Sequence, residues 1–87
     1  MRRDAEFFGE QELILIYIAK KLKEALRLEE VLTKAELDYL VETDKYAGGL
    51  IFRSERIGAF FYVAESTETL AREQMVDAGF APYRTGE

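Results

Sequence analysis

Hydrophobic and polar positions change their spacing once in the first half of the chain, and the change predicts two elements of different kind. Leu13 to Ala19 is a continuous apolar run in which isoleucine occupies every second position. Such a run, rich in β-branched residues, is typical of a strand buried on both faces. The competing interpretation is a helix running from Glu10 to Leu40, but it would point apolar residues in every direction for two turns. The pattern therefore favours the strand.

The spacing then changes to steps of three and four residues. From Lys20 to Glu36 the apolar positions follow this rhythm, most charged residues lie between them, and neither glycine nor proline interrupts the segment. This pattern predicts an amphipathic helix with one face on a sheet.

Turn-forming residues and β-branched or aromatic residues divide the rest of the chain. The pattern predicts a strand at Leu37 to Glu42, a loop at Thr43 to Gly49, a short strand or ordered arm at Leu50 to Arg53, a turn at Ser54 to Gly58 and a strand at Ala59 to Val63. A second helix is predicted to start at a capping Ser66 or Thr67 and to end with Gly79 in a left-handed conformation.

The predicted order is strand, helix, strand, strand, helix, with Phe80 to Tyr83 as an optional edge strand. Both helices would lie on one face of an antiparallel-rich sheet, as in a split βαβ arrangement. We therefore expect a single α+β domain at residues 13–83, a ferredoxin-like βαββα sandwich. Residues 1–12 and 84–87 are expected to be tails, the first of them frayed or with a short turn that docks Phe7 and Phe8.

Composition excludes several kinds of chemistry. The 87 residues include no cysteine and no histidine, so disulfides, thiolate metal sites and histidine-dependent catalysis are absent. A carboxylate site for a hard cation would have to use acids such as Asp38, Glu42, Asp44 and Glu65, which lack the ligand spacing of a calcium loop. We interpret them as a solvated acidic face, and we expect no enzyme, no metal and no cofactor.

The formal net charge of −5 argues against a phosphate-rich partner, because an acidic domain repels a phosphate backbone unless its basic residues cluster. The apolar run from Leu13 to Ala19 is too short to span a bilayer, and it lacks the pattern of a signal peptide. We expect a cytoplasmic protein that binds neither nucleic acid nor membrane.

Three local features carry a resemblance to a known family. They are a strand ending Tyr17-Ile18-Ala19 that leads into a helix with Leu22, Glu24-Ala25 and Val31-Leu32, the passage through Ala35-Glu36-Leu37 into Tyr39-Leu40-Val41-Glu42, and the segment Tyr62-Val63-Ala64-Glu65 that opens a helix with Leu70 and Ala71. These features resemble a small bacterial family of prokaryotic signal-transducing proteins, a domain of unknown function with a fold like the nitrogen-regulatory PII proteins.

This resemblance covers roughly Leu13 to Tyr83 and implies a binding or regulatory module without an established reaction. It assigns no functional residue. The chain departs from the family pattern between the first helix and the second strand, where Glu36-Leu37-Asp38 replaces the usual glycine or proline.

Two groups of residues are candidates for binding. Gly48, Gly49, Arg53 and Arg56 could form an anion or partner site, because adjacent glycines free backbone N–H groups and arginines bind phosphate or carboxylate. A flexible loop with solvated arginines is the alternative, and it is the interpretation we favour for these four residues.

Tyr17, Tyr39 and Tyr62 are the second candidate group, because they could share one face of the sheet. If that face points away from the helices, an apolar patch would need a second copy or another partner to cover it. The alternative is cover from within the chain, by Phe7-Phe8 and Tyr83.

A weaker pattern concerns nucleic acid. Arg56 and the segment Gly58 to Phe61 resemble the signature of an RNA-recognition domain, but Ile57 stands where a glycine belongs, and core packing is the interpretation we favour. The leading hypothesis is a regulatory or protein-interaction module, homodimeric through its sheet. The alternative is a small-anion or metabolite sensor that binds at the loop of residues 43–58, and an RNA-recognition-like binder ranks below both.

Overall fold

The computed structural model of the chain describes residues 1–48 and 54–83, without the side chains of residues 46–48, 54 and 55. The helices are α1 (Ala5–Phe8), α2 (Leu22–Lys34) and α3 (Glu68–Asp77), and the strands are β1 (Leu13–Ala19), β2 (Leu40–Gly48) and β3 (Ser54–Ala64). A 3₁₀ turn at Glu65–Thr67 leads into α3. The fold is therefore α+β, as the sequence predicts, and the predicted limits of the first strand are confirmed. No helix in this described part is long and apolar enough to cross a bilayer.

The strands form one antiparallel sheet in the order β1-β3-β2, with β3 in the centre. Because β1 and β2 are both antiparallel to β3, they run parallel to each other on either side of it. The register of β1 shifts between Leu15 and Tyr17, so Ile16 is the extra residue of a β-bulge. This bulge lets Ile16 and Tyr17, which are consecutive, both pack against the core under the helices.

The helices α2 and α3 cover one side of the sheet, which we call the covered face. Their inward stripes interlock with alternate residues of the strands. Besides Ala71, six larger side chains of this core are 0% exposed: Ile16, Leu28, Leu32, Phe61, Val63 and Met75. Burying one such side chain contributes roughly 1.5–3 kcal/mol, so this layer supplies most of the hydrophobic stabilisation.

The predicted end of the second helix is confirmed. Gly79 has a φ of +89°, and the chain closes α3 with two hydrogen bonds, from Gly79 N to Val76 O at 3.0 Å and from Phe80 N to Met75 O at 2.8 Å. This is a Schellman motif, in which a residue in the left-handed conformation ends the helix. At the start of α3, Thr67 occupies the N-cap position, which is one of the two predicted positions, but its side chain makes no capping hydrogen bond.

The end of α2 has the same geometry without a glycine. Glu36 has a φ of +60°, its N–H donates to Thr33 O at 3.0 Å, and Leu37 N donates to Leu32 O at 3.0 Å. Glu36 therefore occupies the position that favours glycine, and the buried contact of Leu37 with the core helps to hold it there.

Residues 1–12, which we call the strap, are attached to the sheet. The frayed alternative is therefore wrong, and the alternative of a short turn that docks the phenylalanines agrees with the structure for Phe8, whereas Phe7 is 49% exposed. Arg3 N donates to Tyr39 O at 2.8 Å and Tyr39 N donates to Met1 O at 3.1 Å, which places the chain start beside β2. Arg3 Nε also pairs with Asp38 Oδ1 at 2.8 Å. From there α1 leads to β1, and Phe8 is only 3% exposed.

The predicted loop at Thr43 to Gly49 and the predicted turn at Ser54 to Gly58 are wrong for the residues that the structure describes. Thr43 to Gly48 belong to β2 and Ser54 to Gly58 belong to β3, and the two segments pair in continuous register. Because β1 ends at the Ala19–Ala59 pair, residues 44–48 and 54–58 extend beyond it as a two-stranded ribbon. The predicted arm at Leu50 to Arg53 lies outside the described residues.

The C-terminal part of the domain runs along the other edge of the sheet. Phe80 to Tyr83 does not form the optional strand, but Tyr83 N donates to Ile16 O at 2.6 Å, at the bulge of β1. The predicted tail at residues 84–87 lies outside the description.

Candidate functional site

The side of the sheet away from α2 and α3, which we call the open face, is assembled by the strand register. On β3, Phe61 and Val63 point into the covered core, so Phe60, Tyr62 and Ala64 point the other way. The cross-strand partners that share their face are Leu13, Leu15 and Ile18 on β1 and Leu40 and Glu42 on β2. Three strands therefore contribute apolar side chains to one continuous surface.

The strap covers one end of this surface. Phe8 packs with Leu40 and Ala64 in a small buried cluster that Leu13 and Tyr62 border. The cluster lies where the strap passes from the β2 edge to the start of β1. It shows that one aromatic side chain of the strap, and not the whole segment, supplies the cover.

The remaining apolar residues form what we call the open patch: Leu15, Ile18, Phe60 and Tyr62. Leu15 pairs directly with Tyr62, and Ile18 pairs directly with Phe60. All four are partly exposed. Leu15, Ile18 and Phe60 belong to neither buried cluster of the described residues. The open patch is therefore contiguous by register and only partly covered by the chain itself.

The prediction that Tyr17, Tyr39 and Tyr62 share one face is wrong. Tyr17 and Tyr39 pack in the covered core, whereas Tyr62 borders the cluster on the open face. The cause is strand alternation: Tyr17 pairs with Phe61, and Tyr39 precedes Leu40, which pairs with Tyr62. Only Tyr62 can therefore contribute to a surface on the open side.

The two covered tyrosines have structural hydrogen bonds. Tyr39 Oη lies 3.1 Å from Thr33 Oγ1 and donates to Glu29 Oε1 at 3.3 Å, while Tyr17 Oη donates to Glu24 Oε2 at 3.4 Å. Burial is the main cause that raises the pKa of each of these tyrosines above its usual value. Both hydroxyls therefore stay neutral and tie α2 to the sheet.

The open patch has an acidic border on β2. Glu42 pairs with Phe60 and Asp44 pairs with Gly58, and both carboxylates are exposed. Burial first, and then the negative charges of Glu42 and Asp44, raise the pKa of Tyr62. The patch therefore presents a neutral phenol beside negative charge, a combination that suits apolar groups accompanied by cations.

Pairing of another strand along the β2 edge is discouraged. The strap already occupies the backbone of Tyr39, and Asp44 Oδ1 accepts the backbone N–H of Lys45 at 2.7 Å. Charged side chains along an edge, and polar groups that satisfy its backbone, are ways in which proteins prevent edge-to-edge pairing. The open face is thus a better binding surface than the edge.

Two of the four residues of the predicted anion or partner loop lie in the part of the chain that the structure describes. Gly48 ends β2, and Arg56 lies in β3 opposite Tyr46, while Gly49 and Arg53 lie outside the described residues. Arg56 is exposed and, four positions from Phe60, points to the same side as the open patch. The structure therefore associates Arg56 with the open face.

A second basic region lies at the start of α2, where Lys21, Lys23 and Arg27 approach Phe80. The Arg27 guanidinium stacks 4.9 Å from the centre of the Phe80 ring and donates to the carbonyl of Ala78. These contacts join α2 to the end of α3, so Arg27 has a structural role.

The acidic residues do not assemble into a cation site in the described ranges, where no three acidic side chains come close enough to hold a metal ion. Asp38 pairs with Arg3. Glu65 lies beside Glu12, whose carbonyl accepts the Glu65 N–H at 3.0 Å. A side-chain hydrogen bond to Glu12, and then its negative charge, raises the pKa of Glu65.

Sequence reasoning raised both an apolar face away from the helices and cover of it by Phe7-Phe8, but it named three tyrosines for that face and did not name Leu15, Ile18 or Phe60. An apolar run that continues through both faces of a strand requires half of its residues to lie away from the helices. In β3 this implies that Phe60 and Tyr62 lie on the side opposite Phe61. The apolar Phe7-Phe8 pair indicated docking as one alternative, but it did not show which of the two rings would be buried.

Comparisons with known protein families, with curated proteins and with solved structures find no match for this chain.

Proposed function

We propose that this chain is a non-catalytic, cytoplasmic regulatory or protein-interaction module with a ferredoxin-like βαββα sandwich, and that it forms a homodimer through its open face. The sheet order β1-β3-β2 and the packing of both long helices on one side support that fold assignment. The signal-transducing role is proposed from the sequence resemblance alone.

The open patch is the single observation that carries this proposal. Leu15, Ile18, Phe60 and Tyr62 adjoin one another on two neighbouring strands, and Phe8 covers only the end of the surface. Contiguous apolar surface with a polar rim marks an interaction site in many proteins. A homodimer is the commonest way to cover such a surface, because an isologous interface needs only one patch on each copy.

Charge distinguishes a protein partner from a nucleic acid. Phe60 and Tyr62 could offer a stacking platform for bases, as sheet aromatics do in RNA-recognition domains. However, Glu42 and Asp44 border them, and both carboxylates would repel a phosphate backbone. Another protein surface can match these charges, so the open face favours a protein partner.

Sedimentation equilibrium tests the proposal. We expect the wild-type chain to be a dimer at tens of micromolar and Phe60→Asp to be a monomer, because the change buries a carboxylate at the centre of the interface. Ile57→Asp is the matched control: Ile57 adjoins the same strand segment, is 70% exposed and points to the other side of the sheet. This control variant should remain a dimer.

Circular dichroism of all three proteins establishes that they are folded. A wild-type monomer at this concentration refutes the homodimer. A low-salt mobility shift with single-stranded RNA that Phe60→Asp abolishes would replace the proposed function with base stacking.

A further inference from the structure

The strap crosses one end of the open face, from the edge of β2 to the start of β1. Its backbone is hydrogen-bonded to Tyr39, and Phe8, the one side chain of the strap that is buried, packs against Leu40 and Ala64. Leu40 and Ala64 are each 6% exposed, and strand alternation points both of them to the side of the open patch. The strap therefore hides apolar surface that would otherwise continue the open patch.

Few contacts hold the strap in this position. Apart from Phe8 and the backbone bonds to Tyr39, it is held by the pair between Arg3 and Asp38, whose side chains are 38% and 40% exposed. An exposed ion pair contributes little, and α1 is only four residues long, too short to be stable by itself. Segments attached by so few buried groups open more readily than core strands do. Docking of the strap therefore depends mainly on Phe8 and on its bonds to Tyr39.

The docked strap also brings negative charge next to the open face. It carries four exposed carboxylates against two cations, namely Asp4, Glu6, Glu10 and Glu12 against Arg2 and Arg3. Glu42 and Asp44 already border the open patch. In a face-to-face dimer both copies bring these charges toward the interface, where like charges oppose association. The docked strap is therefore an obstacle to a second copy through its bulk and through its charge.

We infer, as an extension of the proposed function, that the strap is an autoinhibitory cover of the open face. Its release extends the apolar surface from the open patch to Leu13, Leu40 and Ala64, so that a second copy binds across all three strands. A protein whose binding-competent state is only a fraction of the population binds with an affinity that is lowered by this fraction. The balance between docked and released strap therefore regulates the dissociation constant of the dimer.

Two neighbouring rings of the strap test this inference. Phe8→Ala should make the amide of Tyr39, which donates to Met1 O at 3.1 Å, exchange at least about tenfold faster, because the strap is released. It should also lower the dissociation constant of the dimer at least about fivefold. Phe7→Ala is the matched control, because Phe7 is 49% exposed and lies outside the cluster of Phe8, and neither quantity should change by more than about twofold.

Hydrogen exchange is measured at a concentration low enough to keep the chain monomeric, and sedimentation velocity over a dilution series gives the dissociation constants. Arg3→Ala is the second variant, and it keeps Phe8 in place should Phe8→Ala not fold. It breaks the pair with Asp38, and it makes the chain more acidic, so charge alone would weaken the dimer. A lower dissociation constant of Arg3→Ala therefore indicates release of the strap.

The outcomes separate this inference from the proposed function. If the wild type dimerises and exchange at Tyr39 becomes faster in Phe8→Ala, but the dissociation constant is unchanged or higher, the strap does not inhibit and the proposed function stands. Unchanged exchange in both Phe8→Ala and Arg3→Ala likewise overturns the inference alone. If neither the wild type nor Phe8→Ala dimerises at tens of micromolar, the proposed function fails, whatever the strap does.

Discussion

The two faces of the sheet differ sharply although adjacent residues of the same strand supply them. On β3, Phe61 and Val63 are 0% exposed under α2 and α3, whereas Phe60 and Tyr62 are partly exposed on the open face. The sequence here is apolar at every one of these positions, so hydrophobicity alone does not separate the two roles. The separation comes from what covers each side: two amphipathic helices on one, and a single phenylalanine of the strap on the other.

Polar groups show the same contrast. On the covered face the hydroxyls of Tyr17 and Tyr39 are hydrogen-bonded, and no buried side-chain polar atom in the described part lacks a partner. On the open face, Glu42 and Arg56 are exposed and make no ion pair within the described residues. Satisfied polar groups specify a unique core, whereas unpaired exposed charges remain available to a partner. The covered face therefore carries most of the stability of the fold, and the open face is where we propose that a partner binds.

Adjacent phenylalanines give the most direct way to break this comparison. Phe61→Ala should lower the free energy of unfolding by about 3–5 kcal/mol, because it leaves a cavity in a fully buried site. Phe60→Ala should lower the intrinsic stability of one subunit by only about 1 kcal/mol, because its side chain is already partly exposed. Urea unfolding monitored by circular dichroism measures both, at a protein concentration low enough to keep the chain monomeric.

On dimerisation, we expect the larger effect from Phe60→Ala and the smaller effect from Phe61→Ala. Phe60→Ala should weaken dimerisation, while any Phe61→Ala protein that remains folded should still associate. Equal losses of stability at the two positions would show that both faces belong to the core and would remove the distinction.

The elements that the sequence predicted best are those whose signal is local. Leu13 to Ala19 is apolar on both faces and has the predicted limits, and Gly79 has the left-handed conformation that its position requires. The ribbon was missed because Thr43 to Gly48 contains charged and turn-forming residues that favour a loop. Pairing with residues 54–59 outweighs that preference, and such pairing depends on residues far away in the chain.

The candidate site was less predictable for a related reason. The tyrosines were grouped by residue type, but the face of each one depends on register, and the bulge at Ile16 shifts the register of β1. A single-residue insertion of this kind has no local sequence signature. The charges of the open face also depend on register, so Glu42, Asp44 and Arg56 could not be placed on one face before the strands were aligned.

The residues that end α2 and α3 give a second test of the covered face, with an expected effect of intermediate size. Gly79→Ala should lower the free energy of unfolding by about 1–2 kcal/mol, because it places a Cβ on a residue with a φ of +89°. The nearest atom to that Cβ would be Arg27 Nη2 at 3.9 Å, so the loss comes from the backbone and not from a clash. Glu36→Gly should act in the opposite direction, since Glu36 already has a φ of +60° at the equivalent position.

Thermal unfolding of both variants measures this pair. The covered face depends on both helices, so the two shifts should have opposite signs while dimerisation is unchanged. A stabilising Gly79→Ala, or a Glu36→Gly that is strongly destabilising, would contradict the role of the left-handed residue in closing these helices.

The smallest expected effect concerns the point where the strap joins the sheet. The hydrogen bond to Glu12 and the negative charge of Glu12 raise the pKa of Glu65 in the folded chain, and the charge of Glu68 acts in the same direction. A carboxyl group whose folded pKa is raised contributes stability below its unfolded pKa, near 4.3, and that contribution is lost as the pH rises through the folded pKa. Repulsion between the two carboxylates therefore opposes folding at neutral pH.

Glu65→Gln should raise the melting temperature at about pH 7, and its advantage should disappear near pH 3.5, where Glu65 is itself protonated. Glu73→Gln, which removes one negative charge from an exposed position on α3, is the control for net charge. Glu68 is the third carboxylate near Glu65, and Arg72 already forms an ion pair with it at 2.9 Å. If Glu65→Gln is no more stable than Glu73→Gln at neutral pH, the carboxylates do not oppose each other. The docking of Phe8, the backbone hydrogen bonds to Tyr39 and the Arg3–Asp38 pair would then determine how firmly the strap is held.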